Sequence, residues 1–368
     1  MASGETVTEQ PRPRAGTTAA GRLRSGRRRH GGSAALIARV IGLTVSVGIA
    51  MLVFSIINSN FAKTGNLIEM IRSMSSLGLM ALGLTLLIIV GELDLSVGAT
   101  YGLAAMLMGK VWLSGVPFPV AFVIGLATGA TVGLVNGGLT LVVGMPSFIA
   151  TLATLNVAQG LTLWISNAQS IAPAFGNPAP PKWQLGWFSA LGATILPFSI
   201  PIQVVWLIGL AIVVGFLLHR SLFGFRLFAI GGNLHAARTA KLPVTKYKLV
   251  TFVLCGTLAA LAGILDFSFL GSTDPSAGSS LLFPVFAAVV IGGASLSGGR
   301  GLIVGTVLGA LLLATLTNGL SIIGVGSYGQ LIFVGAAIAG AVALDRWTAA
   351  RSGGVRRLVG WRLRRDSV

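Results

Sequence analysis

Apolar stretches recur along this 368-residue chain from end to end, and each is long enough to cross a lipid bilayer. A transmembrane helix needs about 20 predominantly apolar residues to span roughly 30 Å of hydrocarbon. Ten such stretches cover residues 34–57, 66–90, 95–113, 117–141, 146–165, 201–218, 247–270, 281–297, 302–323 and 327–344. The sequence therefore predicts an all-α integral membrane protein with about ten transmembrane helices.

The composition argues against a soluble enzyme. Charged residues make up 10% of the chain, whereas soluble domains average about 25%, so a polar coat cannot be built. The sequence has no G-x-x-x-x-G-K-[ST] motif for ATP. The three histidines, His30, His219 and His235, are scattered and suggest no metal site. We therefore expect a protein that is not an enzyme and binds no cofactor or metal itself.

Basic residues predict the orientation. With ten crossings, 22 of the 26 Lys and Arg residues fall on the side that holds both ends of the chain. By the positive-inside rule this side is the cytoplasm. We assign residues 1–33 to a disordered basic N-terminus, 34–345 to a transmembrane domain and 346–368 to a basic tail. We therefore expect the basic residues behind the net charge of +17 to set the topology and to attract anionic lipid, and not to bind nucleic acid.

The largest predicted external loop covers residues 166–200 and contains Trp183 and Trp187. Tryptophan is enriched where membrane helices meet water, so these side chains are either interfacial anchors or part of a docking surface for an extracytoplasmic partner.

The eighth stretch is short and contains Pro284, which suggests a partial or broken helix.

A short internal repeat suggests two related halves. Leu134-Val135-Asn136-Gly137 ends the fourth predicted span, and Leu316-Thr317-Asn318-Gly319 ends the ninth. These spans run in opposite directions, which indicates two five-helix halves of inverted topology, as in many transporters. A pathway between the halves near the bilayer midplane would follow.

The longest predicted cytoplasmic loop, residues 219–247, is basic and contains a candidate helix. Asn233 can cap this helix, and Pro243 would end it. A short helix between two spans can dock into a groove of a partner and transmit its motion. The alternative is an ordinary connecting loop.

Several segments form a pattern that is jointly specific, although each is weak alone. They lie in order between about residues 66 and 345. The segments are Ala81–Leu86, Gly91–Gly98, Gly133–Gly137, Pro146–Leu152, Ala229–Asn233 with Ala236 and Ala237, Ala287–Gly301, and Asn318–Leu320. Together they resemble the ribose-type sugar permeases of ATP-binding-cassette (ABC) importers.

The resemblance implies a type II ABC importer fold in the bacterial plasma membrane. The expected partners are a separate subunit that binds ATP, an extracytoplasmic sugar-binding protein and a second permease, either an identical copy or a sister chain. The loop above becomes the coupling segment to the ATPase. The residues expected to form it are Gly232, Asn233, Ala236, Ala237, Arg238, Lys241, Leu242 and Pro243.

Three positions depart from the family pattern. An acidic residue usually stands where this chain has His235, and a glycine where it has Lys241. Both changes fall in the coupling segment, so they would tune which ATPase is accepted or weaken coupling. The acid usual just before Ala287 is missing from Leu281–Phe286, so no role is transferred to it.

Five polar residues are candidates for the translocation pathway or its gates. They are Asp94, Ser96, Asn136, Asp266 and Asn318. Asp94 either caps the third span or makes a gating contact. The two asparagines either bond between helices or line the pathway.

Two acids need partners. An acid within a membrane helix is costly and usually faces a cavity or a counter-ion. Asp266 would therefore either bond a sugar hydroxyl or pair with Lys110 or Arg72. Glu92 would pair with Arg300 or another basic residue on its side of the membrane.

Three transport functions remain possible at this stage. A sugar permease fits best, because the spans contain many hydroxyl and amide groups and few acids. A branched-chain amino acid permease would need groups that satisfy a carboxylate and an ammonium. An ion-coupled carrier would need several intramembrane charges for coupling, and Asp266 alone is a plausible candidate.

Overall fold

The computed structural model describes residues 27–343, with the side chains of 27–36 and Phe198 left undescribed. It is almost entirely helical. The helices are α1 (Arg27–Ile57), α2 (Thr64–Ile89), α3 (Val97–Leu113), α4 (Phe118–Leu141), α5 (Ser147–Ser166), α6 (Lys182–Gly192), α7 (Ile202–Arg220), α8 (Leu222–Gly232), α9 (Leu234–Thr239), α10 (Val244–Leu270), α11 (Leu282–Gly292), α12 (Ile303–Ile322) and α13 (Ser327–Ala343). Two short antiparallel strands, β1 (Ile195–Leu196) and β2 (Ile200–Pro201), lie between α6 and α7.

Every predicted span coincides with one of these helices. Within residues 27–343, seven helices are long and apolar enough to cross a membrane, namely α1, α2, α4, α5, α7, α10 and α12. The helices α3, α11 and α13 are shorter, and α11 has only 11 residues with Pro284 in its first turn. The eighth span is thus a short, partial helix, which is one of the two forms expected, whereas the number of complete crossings stays a prediction.

Some predicted boundaries were wrong. Helix α1 begins at Arg27, inside the segment expected to be disordered; the rest of that segment, residues 1–26, and the basic tail 346–368 lie outside the described residues. Helices α6 and α8 were not predicted, since both lie in segments interpreted as loops. Their short apolar patterns were hidden by the neighbouring Pro and Gly residues.

Two long helices, α2 and α10, form the centre of the bundle. In the most apolar stretch of α2, 89% of the residues are buried inside the protein, and the value for α10 is 67%. The corresponding share is only 22% for α1 and α7 and 28% for α4 and α5. These outer helices expose apolar side chains, as expected of helices that face lipid tails.

Glycine permits the closest helix contacts. Gly125, Gly129, Gly133 and Gly137 recur every fourth residue along one face of α4, and α10 packs on that face. A Cβ atom on Gly129 would come within 3.0 Å of the carbonyl oxygen of Gly256 in α10, so neither backbone could approach the other with a larger residue. Small residues drive such packing where lipid replaces water.

The helix contacts follow the pattern of the predicted repeat. Helix α4 contacts α10 and α3, while α12 contacts α2 and α11. Helix α3 also contacts α10, and α11 contacts α2. Exchanging α2, α3 and α4 for α10, α11 and α12 therefore leaves these contacts among the six inner helices unchanged, as expected of two equivalent halves.

Candidate translocation cavity and coupling segment

An acidic and a basic residue join α2 to α10 near one end of both helices. Arg72 Nη1 donates to Asp266 Oδ1 at 3.4 Å. The same carboxylate accepts hydrogen bonds from Ser76 Oγ at 2.6 Å and from the Tyr101 hydroxyl at 2.7 Å. Of the two basic partners considered for Asp266, the structure brings Arg72 to it and not Lys110.

The guanidinium group of Arg72 contacts two acids and an aromatic ring. Its guanidinium forms an ion pair with Glu69 as well as with Asp266. It also stacks on the Phe269 ring, 3.8 Å from the ring centre. The Arg72 side chain is only 10% exposed, but Glu69 is 52% exposed. The cluster therefore has two carboxylates for one guanidinium, and Glu69 is the carboxylate that reaches open space.

A second ion pair joins the opposite ends of the same two helices. Lys248 at the start of α10 pairs with Glu92, which follows α2, and both side chains are at most 12% exposed. This pair confirms the expectation of a basic partner for Glu92, although Arg300 is not that partner. Lys248 and Asp266 are 18 residues apart, which corresponds to about 27 Å along a helix. The two pairs thus lie near the two edges of a bilayer.

The two pairs are reciprocal. A basic residue in the first half of each central helix is followed 20 or 18 residues later by an acid. These are Arg72 and Glu92, just past the end of α2, and Lys248 and Asp266 of α10. Antiparallel neighbours with this pattern place each basic residue opposite the acid of the other helix. The sequence contained this signal as two similar spacings between a basic and an acidic residue, but it was missed because the acids were considered singly.

A cavity of about 570 Å³ opens beside the Arg72–Asp266 pair. Residues of α2, α10, α11, α12 and α13 line it, with Ser280 from the segment before α11. Its uncharged polar residues are Ser73, Ser76, Ser280, Thr317, Asn318, Ser321, Ser327 and Gln330. Glu69, Arg72 and Asp266 are its charged residues, and Met70, Leu281 and Leu313 are among its apolar ones.

Two of the predicted pathway residues, Asp266 and Asn318, line this cavity. Asn318 also exchanges two hydrogen bonds with Asn66 of α2, at 2.9 and 3.0 Å. Asn66 was not singled out from the sequence, since a lone amide at the start of a span has no distinguishing pattern. Asn318 therefore combines both expected features, an interhelical bond and a position at the cavity.

The other three predicted pathway residues lie together elsewhere, between α2 and α4. Asp94 is fully buried and accepts hydrogen bonds from Ser96 N and Ser96 Oγ at 2.8 and 2.6 Å. Asn136 of α4 donates to Ser96 Oγ at 2.9 Å. Helix α3 begins after Ser96, so Asp94 fixes the preceding turn and does not cap the helix as proposed. A gating role for this cluster stays a prediction.

The coupling segment is a pair of helices. Ser221 caps α8, since its side chain accepts hydrogen bonds from Phe223 N and Gly224 N. Asn233 caps α9 by accepting from Ala236 N at 3.0 Å, which confirms the predicted cap. In α9, Ala237 is buried, whereas Asn233, Ala236 and Arg238 are exposed.

Helix α9 ends at Thr239, earlier than predicted. Pro243 is not its terminator but the residue that precedes α10. The chain turns at Lys241, which has a φ of 55° in the left-handed region. Glycine adopts this conformation without steric cost, which explains physically why the family pattern favours glycine where this chain has Lys241.

A glycine joint connects the coupling segment to the central helix. Gly299 N donates to Ile89 O at the end of α2, at 2.9 Å. Gly231 of α8 lies against both, so a Cβ atom there would come within 3.0 Å of Ile89 O and of Gly299 N. On the other side, a Cβ atom on Gly299 would come within 3.0 Å of the Gly232 backbone. Helix α8 therefore lies in direct backbone contact with the end of α2.

Helix α6 lies at the Asp266 end of the bundle. The Ser268 hydroxyl of α10 donates to Phe188 O, and Gln184 accepts from Trp112 Nε1 at 2.7 Å. Trp183 and Trp187 lie on the other face and are more than half exposed. This outward aromatic face is compatible with either of the two roles expected from the sequence.

Comparison with known proteins agrees with this architecture. Residues 66–342 match the family described as "Branched-chain amino acid transport system / permease component". The ribose import permease protein RbsC of Bacillus subtilis is 38% identical over 306 residues, or 83% of this chain and 92% of the relative. RbsC of Escherichia coli K12 is 35% identical over 302 residues, or 82% and 92%.

A third relative widens the comparison. The D-allose transport system permease protein AlsC of Escherichia coli K12 is 35% identical over 287 residues, which covers 78% of this chain and 85% of the relative. These relatives are transport permeases. The family match extends over most of the described helices, including the central pair and the coupling segment. The chain is therefore a multi-pass membrane protein that belongs to this permease family.

Proposed function

We propose that the chain is the membrane-spanning subunit of an ABC importer that moves a neutral monosaccharide or polyol into a bacterial cell. Relatives named for ribose and for allose support a sugar cargo. In this proposal the two ends of the chain are cytoplasmic, a separate subunit binds ATP, and an extracytoplasmic protein delivers the sugar to a pathway formed with a second permease.

The residues that line the cavity are the reason for proposing a sugar as the cargo. Eight of its lining residues carry hydroxyl or amide groups, and these groups can exchange hydrogen bonds with a polyol. The single cation among the lining residues, Arg72, is already occupied by Glu69 and Asp266. No free cation of the described cavity is left for the carboxylate of an amino acid. The volume of about 570 Å³ falls within the range of about 300–1,000 Å³ typical of small-molecule sites.

Coupling follows from the glycine joint. When the ATPase subunits close, they displace α9 and α8, and the contact of Gly231 with Ile89 passes this movement to α2. Helix α2 carries Arg72 at its other end, beside the cavity. A rigid shift of α2 thus changes access to the cavity, while the chain itself makes no covalent chemistry.

The test is Ala236→Glu in the complete importer, reconstituted in vesicles with its ATPase and binding protein. Ala236 is exposed, so we expect an intact fold, at least tenfold slower ATP-driven uptake of D-ribose or D-allose, and normal membrane insertion. The buried Ala237 is a poorer target, because a bulky residue there would disturb α9 itself.

Two outcomes would contradict the proposal. Uptake of leucine or valine in place of either sugar would assign an amino acid as the cargo. Transport by the chain alone under an ion gradient, without ATPase, would identify an ion-coupled carrier. Ala236→Ser is the matched control, since it keeps the small size and should transport normally.

A further inference from the structure

The coupling end of the molecule, where α8 and α9 lie, carries cations without counter-ions. Arg238, Lys241 and Lys246 are exposed around the link from α9 to α10. The exposed Arg220 and Arg300 flank them, one at the end of α7 and the other next to the Gly299 joint. Among the described residues, the ion pairs at this end are limited to Glu92 with Lys248, so none of the five is neutralised.

The acids of this end cannot compensate for these cations. Glu92 is committed to Lys248, and both side chains are nearly buried. Asp94 is fully buried against Ser96 and Asn136. Within residues 27–343, the coupling end therefore shows cations at its surface and no exposed carboxylate. His235 also stands on the exposed side of α9, at the position that the family pattern gives to an acid.

Two of these cations line a groove. It has a volume of about 670 Å³ and lies between the end of α9 and the first turns of α10. Arg238, Thr245 and Lys246 supply polar groups, and Leu242, Pro243 and Leu249 supply apolar surface. The groove thus combines two cationic side chains with apolar surface, and we refer to it as the basic coupling groove.

We propose that the basic coupling groove receives an acidic segment of the ATPase subunit, with carboxylates at Arg238 and Lys246 and an apolar side chain against Leu242. This inference rests on the proposed function, because it concerns the same coupling segment. It adds the chemistry of the partner surface: an ATPase that fits this chain must be acidic where it meets α9.

A protein segment explains the groove better than a lipid headgroup. Leu242 and Pro243 precede Lys248, whose pair with Glu92 marks one edge of the hydrophobic span. Acyl chains lie on the other side of that edge, so they do not reach the apolar residues of the groove. An anionic headgroup would use the cations alone and leave Leu242 uncovered.

The test measures binding of the ATPase subunit to the full chain in nanodiscs of neutral phosphatidylcholine, across a series of salt concentrations. Complementary charge accelerates association by about 10- to 1,000-fold at low salt, and salt screens this effect. We expect Arg238→Glu combined with Lys246→Glu to slow association at least tenfold at low salt and to flatten the salt dependence.

Two control variants separate charge from folding. Lys63→Glu combined with Lys182→Glu reverses two exposed cations at the opposite end and should leave binding unchanged. Arg238→Gln combined with Lys246→Gln should give an intermediate rate, because it removes charge without repulsion.

The failures are distinguishable. Equal binding by the wild type and the Glu variant, with the same salt slope, would overturn the acidic-segment inference while the proposed function stands. The inference would also be wrong if the substitutions changed binding to phosphatidylglycerol vesicles alone, since the groove would then be a lipid site. A wild-type chain that binds no ATPase at any salt would refute the proposed function itself.

Discussion

The contact between α2 and α10 has an ion pair at each end, and the surroundings of the two pairs differ. At the coupling end, Lys248 and Glu92 have each other as their charged partner and are nearly buried. At the cavity end, Asp266 is shared by Arg72, Ser76 and Tyr101. The first pair depends on one contact, whereas the second belongs to a network beside open space.

This difference indicates what each end can tolerate. Removing one partner from a buried pair leaves an uncompensated charge and costs about 3–5 kcal/mol. Removing one member of a network costs less stability, because each remaining group keeps other hydrogen bonds. We therefore expect the coupling end to be the rigid end of the α2–α10 contact and the cavity end to be the adjustable one, where cargo has to pass.

The largest effect should come from Lys248→Met. It leaves Glu92 charged and buried, so we expect the chain to lose about 3–5 kcal/mol of stability. Thermal unfolding of the purified chain in detergent measures this as a lower midpoint. Adding Glu92→Gln should restore most of the loss, since no charge is then left unpaired. A double variant as unstable as the single one would show that the ion pair is not what holds this end.

A smaller effect is expected for Asp266→Asn at the cavity end. The amide oxygen still accepts hydrogen bonds from Ser76 or Tyr101, and Arg72 keeps Glu69, so the loss should be about 1.5 kcal/mol. Asp274→Asn is the matched control, because Asp274 is exposed and its side chain bonds to Ser276. A loss as large as that of Lys248→Met would remove the distinction between the two ends.

The smallest effect should be that of Tyr101→Phe, which deletes one donor to Asp266 and keeps the buried ring. We expect about 1 kcal/mol. Combined with Asp266→Asn in a double-mutant cycle, the two losses should be non-additive, because the groups share one hydrogen bond. Strict additivity would mean that the tyrosine hydroxyl does not belong to the network.

Local sequence patterns predicted the elements that depend on local physics. Apolar runs of about 20 residues identified all the long helices, because a bilayer demands that length whatever the neighbours. Asn233 was correctly predicted as a cap, since capping involves residues only three positions apart. Arg72 was named among the alternatives for Asp266, but choosing it over Lys110 required the positions of three helices.

Other features were missed for a physical reason. The Gly231–Ile89–Gly299 joint brings together three segments that are far apart in the chain, and glycine spacing alone does not reveal which backbones meet. Helix α9 ends early because the chain turns at Lys241, whose backbone is left-handed. A glycine at this position would have indicated the turn in the sequence, but a lysine does not. Of the two roles considered for Asp94, the helix cap is not formed, because the carboxylate bonds to Ser96 and Asn136.

The sequence by itself determined that this chain is a membrane protein, where its long helices lie and which short helix Asn233 caps. Each follows from hydrophobic length, charge or a bond between near neighbours. Only the tertiary structure decided which charges neutralise one another, where the cavity opens and which cations remain free. Pairing and burial depend on the distance between segments remote in sequence, and folding of the whole bundle sets those distances.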